Sequence, residues 1–433
     1  MKRPAKAPPP AEAVRIDRVG AEGDGVGHLS EGTAVYVPGT LPEETVLARP
    51  LRTRGDGWMA EAAEVQVASP ARVLPPCGHF GRCGGCSLQH WRDAEYREWK
   101  AGLVALALRQ AGFEPPDPLP FRHGLPGERR RLDFAVRRFG RRIVLGLHAA
   151  RSAEIEDLSG CLVLHPVLQA LLAPLRTVLA ELAVPRREAS VVVNLLDSGP
   201  DLLLRTDAAL TLEDRSALTA FATAHGLPRV SCAEGGGAAE VVALLRPPLT
   251  ALSGVPLRPP PGAFLQATEA GEQAIVESVL SGLPAKLTGR ARIGDLYAGC
   301  GTLTFALARA ARVLAWEGEA DSVAALTQAV NQNGLAGRIE AVQRDLTRQP
   351  LTAKEMAGLA AIVLDPPHAG AAAQIGAIAA SGVPSVIYVS CNPAALGRDG
   401  RALKAAGYWL AAVTAIDQFL WSARVESVAV FRR

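Results

Sequence analysis

The chain has 433 residues, a formal net charge of +3, 48% apolar residues and 21% charged residues. This composition is typical of a folded globular protein and excludes a disordered chain, while so small a net charge does not by itself predict a polyanionic partner. No apolar run reaches the roughly 18 residues of a membrane span, so we expect no membrane association.

Residues 1–11 form a basic, proline-rich tail. The tail lacks the apolar core of a signal peptide, so we expect a cytoplasmic protein. In that reducing compartment the seven cysteines should not form disulfides, and a cluster of them indicates a metal site.

Five short strand-like runs, separated by glycine-containing turns, lie between Val14 and Val67. Five strands in so short a stretch predict a small β-barrel of the OB type, which we place at residues 12–70. Such barrels often bind oligonucleotides, but a purely structural cap accounts for the pattern equally well.

Three cysteines follow within residues 77–86, separated by glycines that let the backbone wrap around one metal centre. A zinc site or an iron–sulfur cluster needs a fourth ligand, for which Cys161 is the best candidate and His79 and His90 are weaker ones. Thiolates alone do not decide between zinc and iron–sulfur. The predicted ligands are Cys77, Cys83, Cys86 and Cys161.

Residues 93–112 have the apolar periodicity of a helix, a candidate to pack on the C-terminal domain of residues 263–433. Residues 127–142 then contain seven arginines with two interleaved phenylalanines, and alternation predicts a hairpin from Leu132 to Leu147. Arginines on the outer face of a hairpin suit phosphate contacts and base stacking, so we favour RNA binding over a plain solvated strand face. We assign residues 71–262 to one central domain.

From residue 263 to 433, strands alternate with helices, which predicts a Rossmann-like α/β domain. Its first strand ends near Asp295 and leads into the nucleotide-binding turn Ala298-Gly299-Cys300-Gly301-Thr302. Glu317 ends the next strand, where a carboxylate can bind both ribose hydroxyls. Because Asp295 would repel a pyrophosphate, the cationic sulfonium of S-adenosylmethionine suits this site better than NAD.

Polar residues also end the later strands, at Asp345, at Asp365-Pro366-Pro367 and at Ser390-Cys391-Asn392-Pro393. The carboxyl ends of parallel strands share one rim, so we expect these residues to lie together. Cys391 is then a candidate nucleophile rather than an ordinary core cysteine. Glu426, inside the last strand, would be costly to bury without a partner or a function.

Together these motifs resemble the bacterial RNA uracil-C5 methyltransferase family, particularly its iron–sulfur branch, which acts on 23S ribosomal RNA. The resemblance covers nearly the whole chain. It implies a TRAM-type barrel, a [4Fe-4S] cluster, with zinc as the less favoured metal, and a C-terminal S-adenosylmethionine-dependent methyltransferase domain. It rests on the cysteine cluster, Phe264-x-Gln266, the 295–302 loop, Asp365-Pro366-Pro367, Ser390-Cys391-Asn392-Pro393 and Val425-Glu426.

The resemblance also implies residue roles. Cys391 would add to C6 of a uracil flipped out of its stack, and Glu426 would be the general base that removes the C5 proton. The implied cofactor-binding residues are Gln266, Tyr297, Thr302, Glu317, Asp345 and Asp365. We infer no obligate protein partner.

Several positions depart from the family pattern. His368 stands where arginine usually follows Asp-Pro-Pro, Thr302 where asparagine is commoner, and Ala298 where cysteine is common. Residues 419–424 replace a segment that contains proline and histidine. None of these departures removes a covalent participant. Two alternatives stay open: the same reaction on transfer RNA, and a non-catalytic iron–sulfur protein that binds and remodels RNA.

Overall fold

The computed structural model describes residues 7–433, and the chain divides into two compact units. Of the predicted tail, residues 1–6 lie outside the described residues. Within residues 7–433, no helix is both long and apolar enough to cross a membrane. The first unit contains the chain up to Leu103, His148–Ala153 and Trp421–Ala423, and the second contains Val104–Leu147, Glu154–Leu420 and Arg424–Arg433.

The first unit begins with a closed five-stranded β-barrel, as the sequence predicts. Around the barrel the strand order is β1-β2-β3-β5-β4. Alternate residues point inward, such as Val14 and Ile16 on the first strand and Val35 and Val37 on the third, and they form a common apolar core. The strands are β1 (Glu12–Val19), β2 (Asp24–His28), β3 (Ala34–Pro38), β4 (Thr45–Arg54) and β5 (Gly57–Val67).

The cysteine-containing segment follows the barrel. It is irregular, and the backbone N–H of Gly84 donates to the carbonyl oxygen of His148 at 2.9 Å. The chain then enters α1 (Asp93–Gln110), which confirms the predicted helix and ends two residues before Gly112.

The second unit contains two large sheets, of which the first has seven strands in the order β13-β12-β11-β10-β7-β8-β9. The predicted arginine-rich hairpin is confirmed, because β7 pairs antiparallel with β8 and Phe139 lies opposite Arg142. The elements of this part are β6 (Phe121–Arg122), β7 (Arg131–Phe139), β8 (Arg142–His148), β9 (Ile155–Asp157), α2 (Pro166–Ala170), α3 (Leu172–Glu181), β10 (Glu188–Leu196), β11 (Gly199–Thr206), α4 (Leu212–Ala224), β12 (Arg229–Glu234), β13 (Glu240–Leu244), β14 (Thr250–Leu252) and β15 (Val255–Leu257).

The remaining elements build the predicted α/β domain around the second sheet. Apolar side chains from these strands and from the helices that cover them form a continuous buried core. The elements are α5 (Glu269–Ser281), β16 (Arg292–Leu296), α6 (Thr302–Leu307), β17 (Arg312–Glu317), α7 (Ala320–Gln332), β18 (Ile339–Gln343), α8 (Ala353–Met356), β19 (Ala361–Leu364), α9 (Ala372–Ser381), β20 (Ser385–Ser390), α10 (Pro393–Ala405), β21 (Trp409–Ile416) and β22 (Glu426–Arg432).

The order of this second sheet is β18-β17-β16-β19-β20-β22-β21-β6. The strands from β18 to β20 are parallel, and β22 runs antiparallel to β20. The chain builds from β16 outward to β18 and then returns to the other side of β16, so the direction of construction reverses between β16 and β19. Ligands of open α/β sheets bind in the crevice at the carboxyl ends of the strands beside such a reversal.

Candidate active site

The loop after β16 lies at this reversal and has the backbone geometry of a ligand cradle. Tyr297 has a φ of 63° and Gly301 a φ of 104°. A Cβ atom at Gly301 would lie 2.7 Å from Leu326 and 2.8 Å from Phe305, so only glycine lets the loop pack against the helices behind it. Thr302 begins α6 directly after this turn.

Two carboxyl groups flank the loop. Asp295 is buried, and its Oδ2 accepts a hydrogen bond from Thr304, whereas its Oδ1 has no hydrogen-bond partner among the described residues. Burial raises the pKa of Asp295 to about 7, with further contributions from the charges of Asp365 and Glu317. Glu317 is half-buried, and its Oε2 accepts the backbone N–H of Gly299 at 2.8 Å.

Asp345, at the end of the next strand, is exposed. Its Oδ1 accepts the backbone N–H of Thr347 at 2.9 Å, and its Oδ2 lies 3.5 Å from the guanidinium of Arg348. The Asp345 side chain is therefore accessible to solvent, whereas Asp295 is buried.

This donor set fits S-adenosylmethionine. None of Asp295, Glu317 and Asp365 forms a salt bridge with an arginine or lysine in the described part of the chain, so the crevice is rich in uncompensated acidic groups. A cationic ligand would relieve this repulsion, and the partnerless Oδ1 of Asp295 is a buried acceptor ready for a donor. A pyrophosphate would increase the repulsion, as the sequence predicts.

Two glutamine side chains connect the carboxyl groups of Asp365 and Glu426. The Nε2 of Gln266 donates to Oδ2 of Asp365 at 3.2 Å. The Nε2 of Gln418 donates to Oε1 of Gln266 at 2.9 Å and to Oε2 of Glu426 at 2.8 Å. Both glutamines are buried, so this network is shielded from bulk water.

Cys391 immediately follows β20, whose six residues are all buried. The thiol itself is half-buried. Burial, and secondarily the charges of Glu426 and Asp365, raise its pKa to about 11, whereas Arg424 acts in the opposite direction. The thiol is therefore protonated in the unliganded chain at neutral pH, and its reactivity depends on losing that proton.

Glu426 lies beside Cys391 because of the strand register. The last pair between β20 and β22 is Ser390 with Ser427, and continuing this antiparallel register places Glu426 next to Cys391. Only 3% of Glu426 is exposed, and its Oε1 has no hydrogen-bond partner in the described residues. Burial, and secondarily the charge of Asp365, raises the pKa of Glu426 to about 8.

The structure therefore brings Gln266, Asp365, Cys391 and Glu426 together, and it places Tyr297, Thr302 and Glu317 along the neighbouring loop with Asp345 farther out. Sequence reasoning missed Gln418, because nothing in the pattern of residues 417–425 distinguishes it from an ordinary loop glutamine. It also did not foresee that two of the departures from the family pattern, His368 and Arg424, contact each other through Nε2 of the imidazole and the guanidinium.

The arginine-rich segment is only partly a free cationic surface. Arg138 donates to the backbone carbonyl groups of Leu179 and Leu182 at 2.6 and 2.8 Å, and therefore ties the hairpin to α3. Arg130 forms a buried salt bridge with Glu272 at 2.6 Å. These two arginines have structural roles, which corrects the expectation that the whole run faces a ligand.

Arg131 and Phe264 form a cation–aromatic pair. The guanidinium of Arg131 lies 5.2 Å from the ring centroid of Phe264. Phe264 is 65% exposed although it precedes the buried Gln266 by two residues. An exposed aromatic ring beside a cation is a suitable platform for stacking a nucleobase.

The three clustered cysteines are half-buried in the irregular loop of the first unit. The backbone N–H of Gly85 donates to Sγ of Cys83 at 3.4 Å. Cys161 is half-buried in the second unit, where its backbone N–H donates to Gln169. Within residues 7–433, no group of three or more His, Cys, Asp or Glu side chains is arranged to hold a metal ion, so the predicted cluster stays a prediction.

Known proteins resemble this chain over nearly its full length. A family model described as tRNA (uracil-5-)-methyltransferase matches residues 262–433. An uncharacterized RNA methyltransferase of Rhizobium meliloti is 39% identical over 97% of this chain and 99% of that protein. The 23S rRNA (uracil(1939)-C(5))-methyltransferase of Pectobacterium atrosepticum is 33% identical over 93% of this chain and 89% of that protein.

A solved structure shares the fold. It is the Pyrococcus abyssi tRNA (uracil-54, C5)-methyltransferase in complex with S-adenosyl-L-homocysteine, with a TM-score of 0.72. The match covers 97% of this chain and 100% of that chain at 20% sequence identity. At this identity the likeness supports the architecture alone.

Proposed function

Because the chain belongs to the RNA (uracil-5-)-methyltransferase family, whose members are S-adenosylmethionine-dependent enzymes, we propose that it methylates C5 of a uridine in 23S ribosomal RNA through a covalent adduct of Cys391. One observation carries the proposed mechanism. The β20–β22 register puts a half-buried thiol beside a buried carboxyl group that keeps one oxygen without a partner.

The crevice at the reversal of the sheet would hold the cofactor, which supplies an electrophilic methyl group on a cationic sulfonium. The acidic character of the crevice suits that charge. The residues we assign to it are Gln266, Tyr297, Thr302, Glu317, Asp345 and Asp365.

The proposed reaction has two stages, and a different residue of the chain acts in each. In the first, the Cys391 thiolate forms a bond to C6, and the electrons of the C5=C6 bond move onto C4 and O4 as an enolate, which makes C5 nucleophilic. In the second, after C5 has gained its methyl group, a carboxylate oxygen of Glu426 takes the C5 proton. The electrons of that C–H bond restore C5=C6, and the C6–S bond breaks to return the thiolate.

The choice of ribosomal RNA is supported by the Pectobacterium atrosepticum relative, whose name gives a 23S ribosomal RNA substrate. Transfer RNA is the second candidate, because the matching family model carries a transfer RNA name. Since the family consists of methyltransferases, we do not retain the non-catalytic alternative.

A trapping assay tests the reaction. The protein is incubated with S-adenosylmethionine and RNA that contains 5-fluorouridine, and adducts are separated on a denaturing gel. Fluorine cannot leave as a proton, so the adduct should persist with 23S ribosomal RNA and disappear in the Cys391→Ala variant. An adduct with transfer RNA only would keep the chemistry and change the substrate. If neither RNA forms an adduct, the covalent mechanism is wrong.

We also propose that Cys77, Cys83, Cys86 and Cys161 bind a [4Fe-4S] cluster, on the basis of their spacing and thiolate chemistry. Iron, sulfide and zinc are measured in anaerobically purified protein. We expect about four irons and four sulfides per chain, the stoichiometry of this cluster. Cys83→Ser should lose them, whereas Cys232→Ser should not, because Cys232 is a buried core residue near Thr206. Bound zinc instead of iron would overturn this assignment.

A further inference from the structure

We propose that Gln418 is a positioning residue that holds one oxygen of Glu426 and leaves the other, Oε1, as the oxygen that receives the C5 proton. This inference rests on the proposed function and deepens it. Gln418 precedes Glu426 by eight residues and is not among the residues that the sequence motifs indicate. It touches the general base and not the reacting atoms.

The backbone fixes the orientation of the Gln418 amide. The N–H of Ala267 can only donate, and it lies 3.0 Å from one side-chain atom of Gln418, which must therefore be the acceptor Oε1. The opposite end of the amide is then Nε2, with two hydrogens. Their partners are Oε1 of Gln266 and Oε2 of Glu426.

This assignment determines which group donates and which accepts in every hydrogen bond of the network. Since Gln266 accepts at Oε1, its Nε2 is the group that donates to Oδ2 of Asp365 at 3.2 Å. Asp365 Oδ2 and Glu426 Oε2 are therefore both acceptors. A proton that Glu426 holds must lie on Oε1, the buried oxygen without a partner among the described residues.

The packing around Gln418 leaves it little freedom to turn. Only 3% of the residue is exposed. Its Cβ atom lies 2.8 Å from the position that a Cβ would take at Gly271, on the first turn of α5, so any larger residue there would displace it. Both ends of its amide are bonded, which pre-organises the carboxyl group that it contacts.

The two stages of the reaction should depend on Gln418 to different degrees. The half-buried Cys391 thiol can lose its proton to water, and the addition of the thiolate to C6 and the attack of C5 on the methyl group then need no proton acceptor at Oε1. Removal of the C5 proton and release of Cys391 do need it. A variant without the Gln418 donor should therefore form the methylated adduct normally and release it slowly.

Gln418→Met removes both donors at similar volume, and Gln418→Leu removes them without adding a charge if the methionine variant fails to fold. Gln273→Met is the matched control, because Gln273 lies exposed on α5. Two rates are measured in single turnover: adduct formation with RNA that contains 5-fluorouridine, and adduct release with ordinary uridine RNA.

We expect release to slow by roughly 10- to 100-fold in the Gln418 variants, the range of a misplaced catalytic group, while the rate of adduct formation stays within about twofold. The adduct should then become visible with ordinary uridine. An equal loss of both rates would show a structural role only, and unchanged rates would show none; either result overturns the proposal. Absence of an adduct in the wild-type protein would instead reject the proposed function itself.

Discussion

The side chain of Asn392 donates through Nδ2 to the backbone carbonyl oxygen of His368 at 2.9 Å. The same side chain accepts the backbone N–H of Ala394 through Oδ1 at 3.1 Å and caps α10. The residue that follows Cys391 is thus fixed on one side to its own helix and on the other to the loop after β19. Through His368 this connection reaches Arg424.

The roles of the donor and of the acceptor in the Asn392 side-chain amide can be tested separately by mutation. Asn392→Asp keeps the helix cap but replaces the donor with a second acceptor that faces a carbonyl oxygen, and it adds a negative charge next to the thiol. We expect near-normal stability and slower adduct formation, because a nearby anion disfavours the thiolate. Asn392→Ala should in addition lose about 1 kcal/mol of stability, as is typical for an N-cap. Thermal unfolding and the trapping assay measure the two effects, and equal adduct rates in Asn392→Asp and the wild type would contradict the expectation.

Arg424 is the charge that favours the Cys391 thiolate. Its guanidinium can only donate, so Nε2 of His368 is the acceptor in their contact. Because Arg424 lowers the pKa of Cys391 whereas burial raises it, Arg424→Gln should raise that pKa. The rate of Cys391 alkylation by iodoacetamide at pH 8, followed by mass spectrometry of its peptide, should fall severalfold. Arg312→Gln, a substitution of an exposed residue at the start of β17, should leave the alkylation rate unchanged. A faster rate in Arg424→Gln would contradict the inference that Arg424 favours the thiolate.

Much of the candidate site could be predicted from the residues that follow each strand in the sequence. In a parallel sheet the carboxyl ends share one rim, so Asp295, Asp365 and Cys391 could be predicted to converge without knowledge of their contacts. The barrel and the arginine hairpin were also predictable from their periodicity. What the sequence did not show is which side chains bond to each other. Arg138 looked like an exposed cation but binds carbonyl groups, and Gln418 looked like a loop residue but donates to Glu426.

We expect the buried Glu426 to lower the free energy of unfolding at alkaline pH. Its folded-state pKa is raised from 4.5 to about 8, so the folded chain keeps a proton that the unfolded chain loses. The resulting stabilisation is fully present below pH 4.5 and is lost as the pH rises through about 8. Glu426→Gln removes this titration. We expect it to be more stable than the wild type at pH 8.5, by on the order of 1–3 kcal/mol, with little difference at pH 5.

Urea unfolding at the two pH values measures this difference. Asp295 should follow the same pattern, because burial raises its pKa to about 7. Glu317→Gln is the comparison, since Glu317 is only half-buried and accepts two backbone N–H groups. If Glu426→Gln were less stable than the wild type at pH 8.5, the buried carboxyl group would have a stabilising partner that the structure does not show.

The two stages of the reaction should respond differently to pH. Adduct formation requires the Cys391 thiolate, and with a pKa of about 11 its ionised fraction rises about tenfold for each unit between pH 7 and 9. Release requires ionised Glu426, whose pKa is about 8, so the release rate should rise to pH 8 and then level off. Single-turnover measurements of both steps from pH 6.5 to 9.5 resolve the two profiles. Identical profiles for formation and release would mean that a single group controls both, which is incompatible with Cys391 as nucleophile and Glu426 as a separate base.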